Sequence, residues 1–155
     1  MNDNASIDQP YSARRRWMAV LARAESSQLE LLLHSAGAGP AYAVLRGPEG
    51  GLVMVRGKAG GGGSAFNLGE MTVTRCTVRT ETGFVGHAYI AGRDEKRAEL
   101  AALADALMQD PDHMHDIERD VITPLELQQN ARKTQRAEKA AATRVQFFAM
   151  QTMRT

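Results

Sequence analysis

The segment Gly69–Met108, GEMTVTRCTVRTETGFVGHAYIAGRDEKRAELAALADALM, constrains the fold more than any other part of the chain. It reads as strand, turn, strand and amphipathic helix. Strands are expected over about Phe66–Arg79 and Phe84–Ala91, and a three-residue loop at Glu81, Thr82 and Gly83 sets their register by placing Thr80 opposite Phe84. Thr74, Cys76 and Val78 then share a core face with Phe84, Gly86, Ala88 and Ile90. The reverse face carries Arg75, Thr77 and Arg79 beside His87 and Tyr89, with Arg75 opposite Tyr89 and Thr77 opposite His87. A slip of one residue would mix the two sets and destroy the apolar face. Asp94 is placed to cap the following helix, with Glu95 in its first turn and Leu100, Leu103, Ala104, Leu107 and Met108 as its core stripe.

The flanks are read around this unit. After a disordered lead over residues 1–11, Ser12 is expected to cap a helix carrying Trp17, Val20, Leu21 and Ala24. Ser26 or Ser27 caps a second, with Leu29, Leu32, Leu33 and Ala36 on one side, before Gly37, Gly39 and Pro40 stop it. Ala41–Arg46 and Gly51–Lys58 read as two strands joined by a GPEGG hairpin loop, and the glycine run of residues 58–64 reads as a mobile loop. Asp110 and Pro111 restart a short helical turn, and Thr123-Pro124-Leu125-Glu126 is a capping-box pattern that should open a last helix at Pro124. From Gln128 to Arg144 that helix has no large apolar residue, whereas Val145, Phe147, Phe148 and Met150 after it need something to dock on. The expectation is an α+β fold: a mainly antiparallel sheet of about four strands backed by helices, with an N-terminal helical segment and a C-terminal helical arm. Residues 12–122 would form the α+β domain, and residues 123–155 a helix and apolar tail of the same domain, docked on a partner through Val145, Phe147, Phe148 and Met150.

Composition removes several classes of function. A chain of 155 residues with a single cysteine, Cys76, can bury one core and cannot form an internal disulfide or a CxxC metal site. With 19 Lys+Arg against 18 Asp+Glu there is no general pull on nucleic acid or membrane. No secretory signal, transit peptide or membrane span is expected, and the cytoplasm is the expected location. The glycine run lacks the GxxxxGK[ST] pattern of a phosphate loop, since Lys58 precedes the glycines. His113 and His115 stand two apart, poor spacing for chelation on a helix, and no metal site is expected. No Ser/His/Asp order or carboxylate pair supports nucleophilic or acid-base catalysis. That leaves Arg75, Arg79, His87 and Tyr89 as candidate interface or anion-binding residues. The two arginines lie roughly 13 Å apart along a strand at about 3.3 Å per residue, which suits two anionic contacts better than one shared phosphate.

Six stretches carry a resemblance: RWMAVLARA at Arg16–Ala24, the glycine-rich loop, LGEMTVTRCTVR at Leu68–Arg79, GHAYIAGRDEKRAELAALADALMQ at Gly86–Gln109, TPL at Thr123, and TRVQFFAM at Thr143–Met150. Together they resemble the PhnG family, the G subunit of the bacterial carbon-phosphorus lyase core complex of phosphonate metabolism. The resemblance implies a subunit of a multi-subunit transferase, the α-D-ribose 1-methylphosphonate 5-triphosphate synthase, in which an alkylphosphonate displaces adenine from ATP. It implies H, I and J subunits as partners, with direct contact to the I subunit, to which the nucleosidase-like activity is attributed. Radical S-adenosylmethionine chemistry belongs to the J subunit, and Cys76 alone could not hold an iron-sulfur cluster. No cofactor is expected on this chain alone, and the complex would use ATP, with Mg, as substrate. No catalytic residue is assigned. The chain is expected to be structural or site-completing, the alternative being that Arg75, Arg79 and His87 join a composite active site. A free-standing RNA-binding module is disfavoured, since the basic helix lacks aromatic interleaving.

Overall fold

The computed structural model describes residues 8–37, 41–58 and 63–143. Helices α1 (Asp8–Leu21) and α2 (Ser26–Ser35) precede strands β1 (Tyr42–Lys58), β2 (Ala65–Thr80) and β3 (Val85–Ala91). Helix α3 (Glu95–Leu107), helix α4 (Pro111–Ile117), a π-helical turn (Glu118–Ile122) and helix α5 (Thr123–Ala142) follow. The sheet is antiparallel in the order β1-β2-β3, with the helices packed on one side of it through α3.

The architecture is α+β, but with three strands rather than the expected four. GPEGG is not a hairpin loop. β1 runs through it for 17 residues, and its pairing with β2 shifts between Val44 and Arg46 and again between Arg46 and Glu49. These irregularities absorb Gly47 and Pro48, and a proline is tolerated because β1 is an edge strand with one side free of ladder bonds. The β2–β3 register is the expected one: Arg75 pairs with Tyr89, Thr77 with His87, and the Thr80 N–H donates to the Phe84 carbonyl at 3.0 Å. Gly83 in that turn has φ +93°, a conformation that costs a side-chain-bearing residue energy and glycine almost none.

Thr74, Cys76, Val78, Ala88 and Ile90 are buried against α3 together with Leu103 and Leu107. The helix lies close because its core side is rich in alanine and because β3 offers Gly86, where a Cβ would collide with the backbone of Ala102 and Ala106. Behind α3 lie Trp17, Val20 and Leu21 of α1, Leu29 and Leu33 of α2, and Ile117, Val121, Ile122 and Leu125. Asp94 caps α3 as expected, its carboxylate accepting from the Arg97 N–H at 2.9 Å.

Three expected helix starts are corrected. α1 begins at Asp8, before Ser12, so the expected lead over residues 1–11 is helical from Asp8 on, and the rest of it lies outside the described residues. α2 is preceded by Glu25 in an extended conformation with no side-chain cap, so neither Ser26 nor Ser27 serves as one. The capping box at Thr123 does not form. Thr123 is itself helical (φ −59°, ψ −48°), and its N–H reaches the Glu118 carbonyl across the π turn, so α4 continues into α5 with no free helix end to cap. The wide turn sits directly before Pro124, where an α-helix would need an N–H that proline lacks. Glu126 is left to pair with Arg16 of α1 at 3.0 Å.

Sequence reasoning did not anticipate Asp105, which sits fully buried in the middle of α3. Its Oδ1 accepts from Trp17 Nε1 at 2.8 Å and Arg14 Nε at 3.2 Å, and its Oδ2 from Arg14 Nη2 at 2.7 Å and the His87 backbone N–H at 2.9 Å. Every partner is a donor, so a carboxylate fits and an amide does not. Asp105→Asn should cost about 3 kcal/mol of stability, because its NH2 must face a donor and Arg14 loses its counter-charge. Urea unfolding of the two proteins checks this, and a difference below about 1 kcal/mol would mean the cluster relaxes without cost.

Candidate functional site

The sheet face turned away from the helices is open, and it gathers the residues singled out by the sequence. Arg75 and Arg79 of β2 and His87 and Tyr89 of β3 all emerge there, exposed. β1 extends the row, with Arg46 opposite Thr77, Glu49 opposite Arg75 and Ala43 opposite Arg79. The Thr77 hydroxyl and His87 Nδ1 are 3.1 Å apart, which holds the imidazole by one edge.

The two arginines differ in what they have left to give. Glu49 takes Arg75 Nε at 2.7 Å and Arg46 Nε at 2.7 Å. Desolvation pushes the Glu49 carboxyl up, and the charges and hydrogen bonds of Arg46 and Arg75 outweigh it, so the group lies below the usual carboxylate range. Arg79 has no ion pair among the described residues and lines a concavity of about 620 Å³ at the end of the sheet with Tyr42, Thr80 and Glu81. The Tyr42 hydroxyl donates to Glu99 at 2.7 Å, and burial followed by that bond pushes its pKa up to about 12. Glu49 was missed from sequence because GPEGG reads as a loop; only the strand alternation, once continued through it, places Glu49 beside Arg75.

Beyond β3 the sheet narrows to a two-stranded ribbon, since β3 pairs only with Val73–Arg79 while β1 continues along β2 to the Lys58–Ala65 pair. On this ribbon Leu52, Met54, Val55, Phe66, Leu68 and Met71 are all exposed, Leu52 to 63% and Leu68 to 61%. Pairing of Val53 with Met71 and Gly57 with Phe66, and the Leu68 side chain lying over Gly57, place Val55, Phe66, Leu68 and Met71 on the same open face as the arginines. The face is therefore cationic at one end and apolar at the other.

Asp110, His113 and Thr82 form a separate cluster, Asp110 Oδ2 lying 3.1 Å from His113 Nδ1 and 2.9 Å from Thr82 Oγ1. Among the described residues no group of three or more His, Cys, Asp and Glu side chains could hold a metal ion. Val145, Phe147, Phe148 and Met150 lie outside the described residues. No described helix is long and apolar enough to cross a membrane.

Fold and face together define a small α+β module whose sheet is covered on one side by helices and left uncovered on the other. The model of the family described as "Phosphonate metabolism protein PhnG" matches residues 12–153. The chain is also 47% identical over 149 residues to a protein of Rhizobium meliloti (strain 1021) named alpha-D-ribose 1-methylphosphonate 5-triphosphate synthase subunit PhnG, covering 96% of this chain and 92% of that protein. This chain belongs to the PhnG family.

The Asp110 cluster generates a prediction for pH. Burial works against the ionised carboxyl, but the Asp112 N–H, the Thr82 hydroxyl and the His113 ring outweigh it and hold Asp110 below its usual value. A depressed folded pKa means that the stabilisation is complete above the unfolded value of about 3.9 and is lost as pH falls through the folded one. Asp110→Asn should therefore flatten part of the fall in urea midpoint below about pH 4. Superimposable acid limbs for the two proteins would sink this assignment.

Proposed function

We propose that this chain is a subunit of a ribose 1-methylphosphonate 5-triphosphate synthase acting in the catabolism of organic phosphonates. The observation that carries the reading is the 47% identity, over 96% of this chain, with the Rhizobium meliloti subunit of that name. In the reaction that the family resemblance implies, a phosphonate oxygen bonds to the ribose C1 of ATP, the C1–N bond breaks, and adenine leaves with the electron pair. H, I and J subunits are its partners in this reading, with the I subunit in direct contact and the assembly in the cytoplasm. Mg enters with the nucleotide as part of the substrate.

The chain acts as a structural or site-completing component. Two features support this role. Among the described residues the His87 ring, 3.1 Å from the Thr77 hydroxyl, hydrogen-bonds no carboxylate that would orient it as a general base, and the exposed Leu, Met, Val and Phe side chains of the ribbon gain most when another subunit covers them. Purified chain given ATP, Mg and methylphosphonate is expected to release no adenine, and release should return when the other subunits are added. Adenine released by the chain alone would overturn the non-catalytic role.

A second reading is favoured by one observation, the guanidinium of Arg79 at the mouth of a concavity, with no ion pair among the described residues. Here the open face contributes a cation to a composite active site whose ligands, a triphosphate and a phosphonate, are both anionic. Arg75 is held by Glu49 and serves mainly to order the face, so the two arginines should separate by mutation. In the reconstituted complex, Arg79→Ala should lower turnover about 10- to 100-fold with assembly intact, the loss of one charge-assisted hydrogen bond of about 1.5–3 kcal/mol. If the complex instead fails to form, Arg79 is an interface residue.

A further inference from the structure

A groove of about 900 Å³ lies between α1 and α5, away from the open sheet face. α1 and the turn after it line it with Arg16, Ala19, Val20 and Arg23, and α5 with Gln129, Arg132, Lys133, Arg136, Ala137 and Ala140. Each set repeats at i, i+3, i+4 and i+7, so each helix turns one stripe toward the groove. Among the described residues the two helices are tied by Arg16 pairing with Glu126 at 3.0 Å and by Gln129 Nε2 donating to the Val20 carbonyl at 2.9 Å, and Arg132 of α5 pairs with Glu25, just before α2, at 2.9 Å. From Ala131 to Thr143 every residue of the chain is exposed.

The charges around the groove are unequal. Arg16 is neutralised by Glu118 and Glu126, and Arg132 by Glu25. Arg23 donates to the Ala19 carbonyl at 2.8 Å and feels Glu126 only through a coulombic attraction, without an ion pair, and Lys133 and Arg136 likewise have no ion pair among the described residues. The floor between these cations is Ala19, Val20, Ala137 and Ala140. Two helical stripes with a small apolar floor form a trough into which a third helix seats by ridge-and-groove packing, the small side chains permitting close approach of its axis. The unpaired cations on both walls specify acidic flanks on that helix.

We propose that the α1–α5 groove receives an acidic amphipathic helix from another subunit. Its apolar stripe lies on Ala19, Val20, Ala137 and Ala140, and its carboxylates face Arg23, Lys133 and Arg136. The proposal rests on the reading of the chain as a subunit of a complex. Charge complementarity selects this occupant over the chain's own residues 144–155, RVQFFAMQTMRT, which carry Arg144 and Arg154 and no acid. It also wins over RNA, because the groove offers no aromatic side chain on which a base could stack.

The test uses the complex assembled by co-expression with the other subunits. Lys133→Glu combined with Arg136→Glu should weaken assembly at least about 10-fold at physiological salt by placing like charges together, while Lys133→Arg leaves it unchanged. Far-UV circular dichroism reports whether the reversed chain keeps its helices, and the milder pair Lys133→Gln with Arg136→Gln should give an intermediate loss. Zero-length carbodiimide coupling of the wild-type complex should join Lys133 to an Asp or Glu in a helical segment of another subunit. Assembly unchanged by the double reversal, coupling of Lys133 only within its own chain, or RNA binding that the reversal abolishes while assembly survives would each overturn the groove assignment alone. A wild-type chain that joins no complex would overturn both this proposal and the reading beneath it.

Discussion

One buried carboxylate organises this fold. Asp105 accepts hydrogen bonds from two side chains of α1 and from the backbone of β3, and so joins three elements far apart in sequence at a single point inside α3. A buried anion is expensive unless its lone pairs are filled, and here four donors within 3.2 Å fill them. The cluster also settles the outer edge of the sheet. β3 is an edge strand with backbone groups that need partners, and α3 and the turn after it supply them: Asp105 for the His87 N–H, Gln109 for the Val85 carbonyl at 2.8 Å and Arg97 for the Ala91 carbonyl at 2.6 Å. The strand that presents His87 and Tyr89 is thereby clamped along its length by one helix and the turn that ends it.

Clamping one side of a three-stranded sheet leaves the other side bare, and the sequence of that side is not what solvent alone would select. Its outer half carries exposed Phe66, Leu68 and Met71, and its inner half carries Arg46 and Arg75, which share Glu49, and Arg79, which has no ion pair among the described residues. An isolated surface of this kind favours association, and the Rhizobium meliloti relative is named as a subunit of a synthase. The same asymmetry leaves Arg75, Arg79, His87 and Tyr89 on an open face, not in a closed pocket.

Much of this was legible in the sequence wherever side-chain period met a rigid geometric rule. The β2–β3 register follows from a three-residue turn and a period of two, and it places Arg75, Arg79, His87 and Tyr89 on one face without any knowledge of the rest. The Asp94 cap is equally local. What stayed hidden depended on contacts across the chain. Gly47 and Pro48 look like a turn, but β2 continues past them and draws β1 along as one irregular strand, reducing four expected strands to three. The Thr123 pattern has the right residues for a cap, yet Ile117, Val121 and Ile122 are buried in the same core as Leu125, so the chain stays helical through the junction and no end is created. Asp105 could have been suspected from an acid in the middle of an apolar stripe, but its donors lie in α1 and β3, which no local window contains.

The π turn and Arg16 together decide where α5 goes. An inserted residue in a helix rotates everything after it relative to everything before, so the face that α5 turns toward α1 is set at Glu118–Ile122. Arg16 then locks that rotation, reaching Glu118 on one side of the turn and Glu126 on the other, and these two carboxylates raise its already high pKa further, with Glu126 the larger contributor. The root of α5 is thus rigid, with Leu125 buried, while beyond Arg132, which pairs with Glu25, every described residue to Thr143 is exposed, a stretch of roughly 16 Å at about 1.5 Å per residue. A rigid root and an unsupported stem present side chains at a defined place in space without constraining what they meet. Because the rotation is fixed before any partner arrives, Lys133 and Arg136 face the groove in the isolated chain, and binding there need not first reorient the helix.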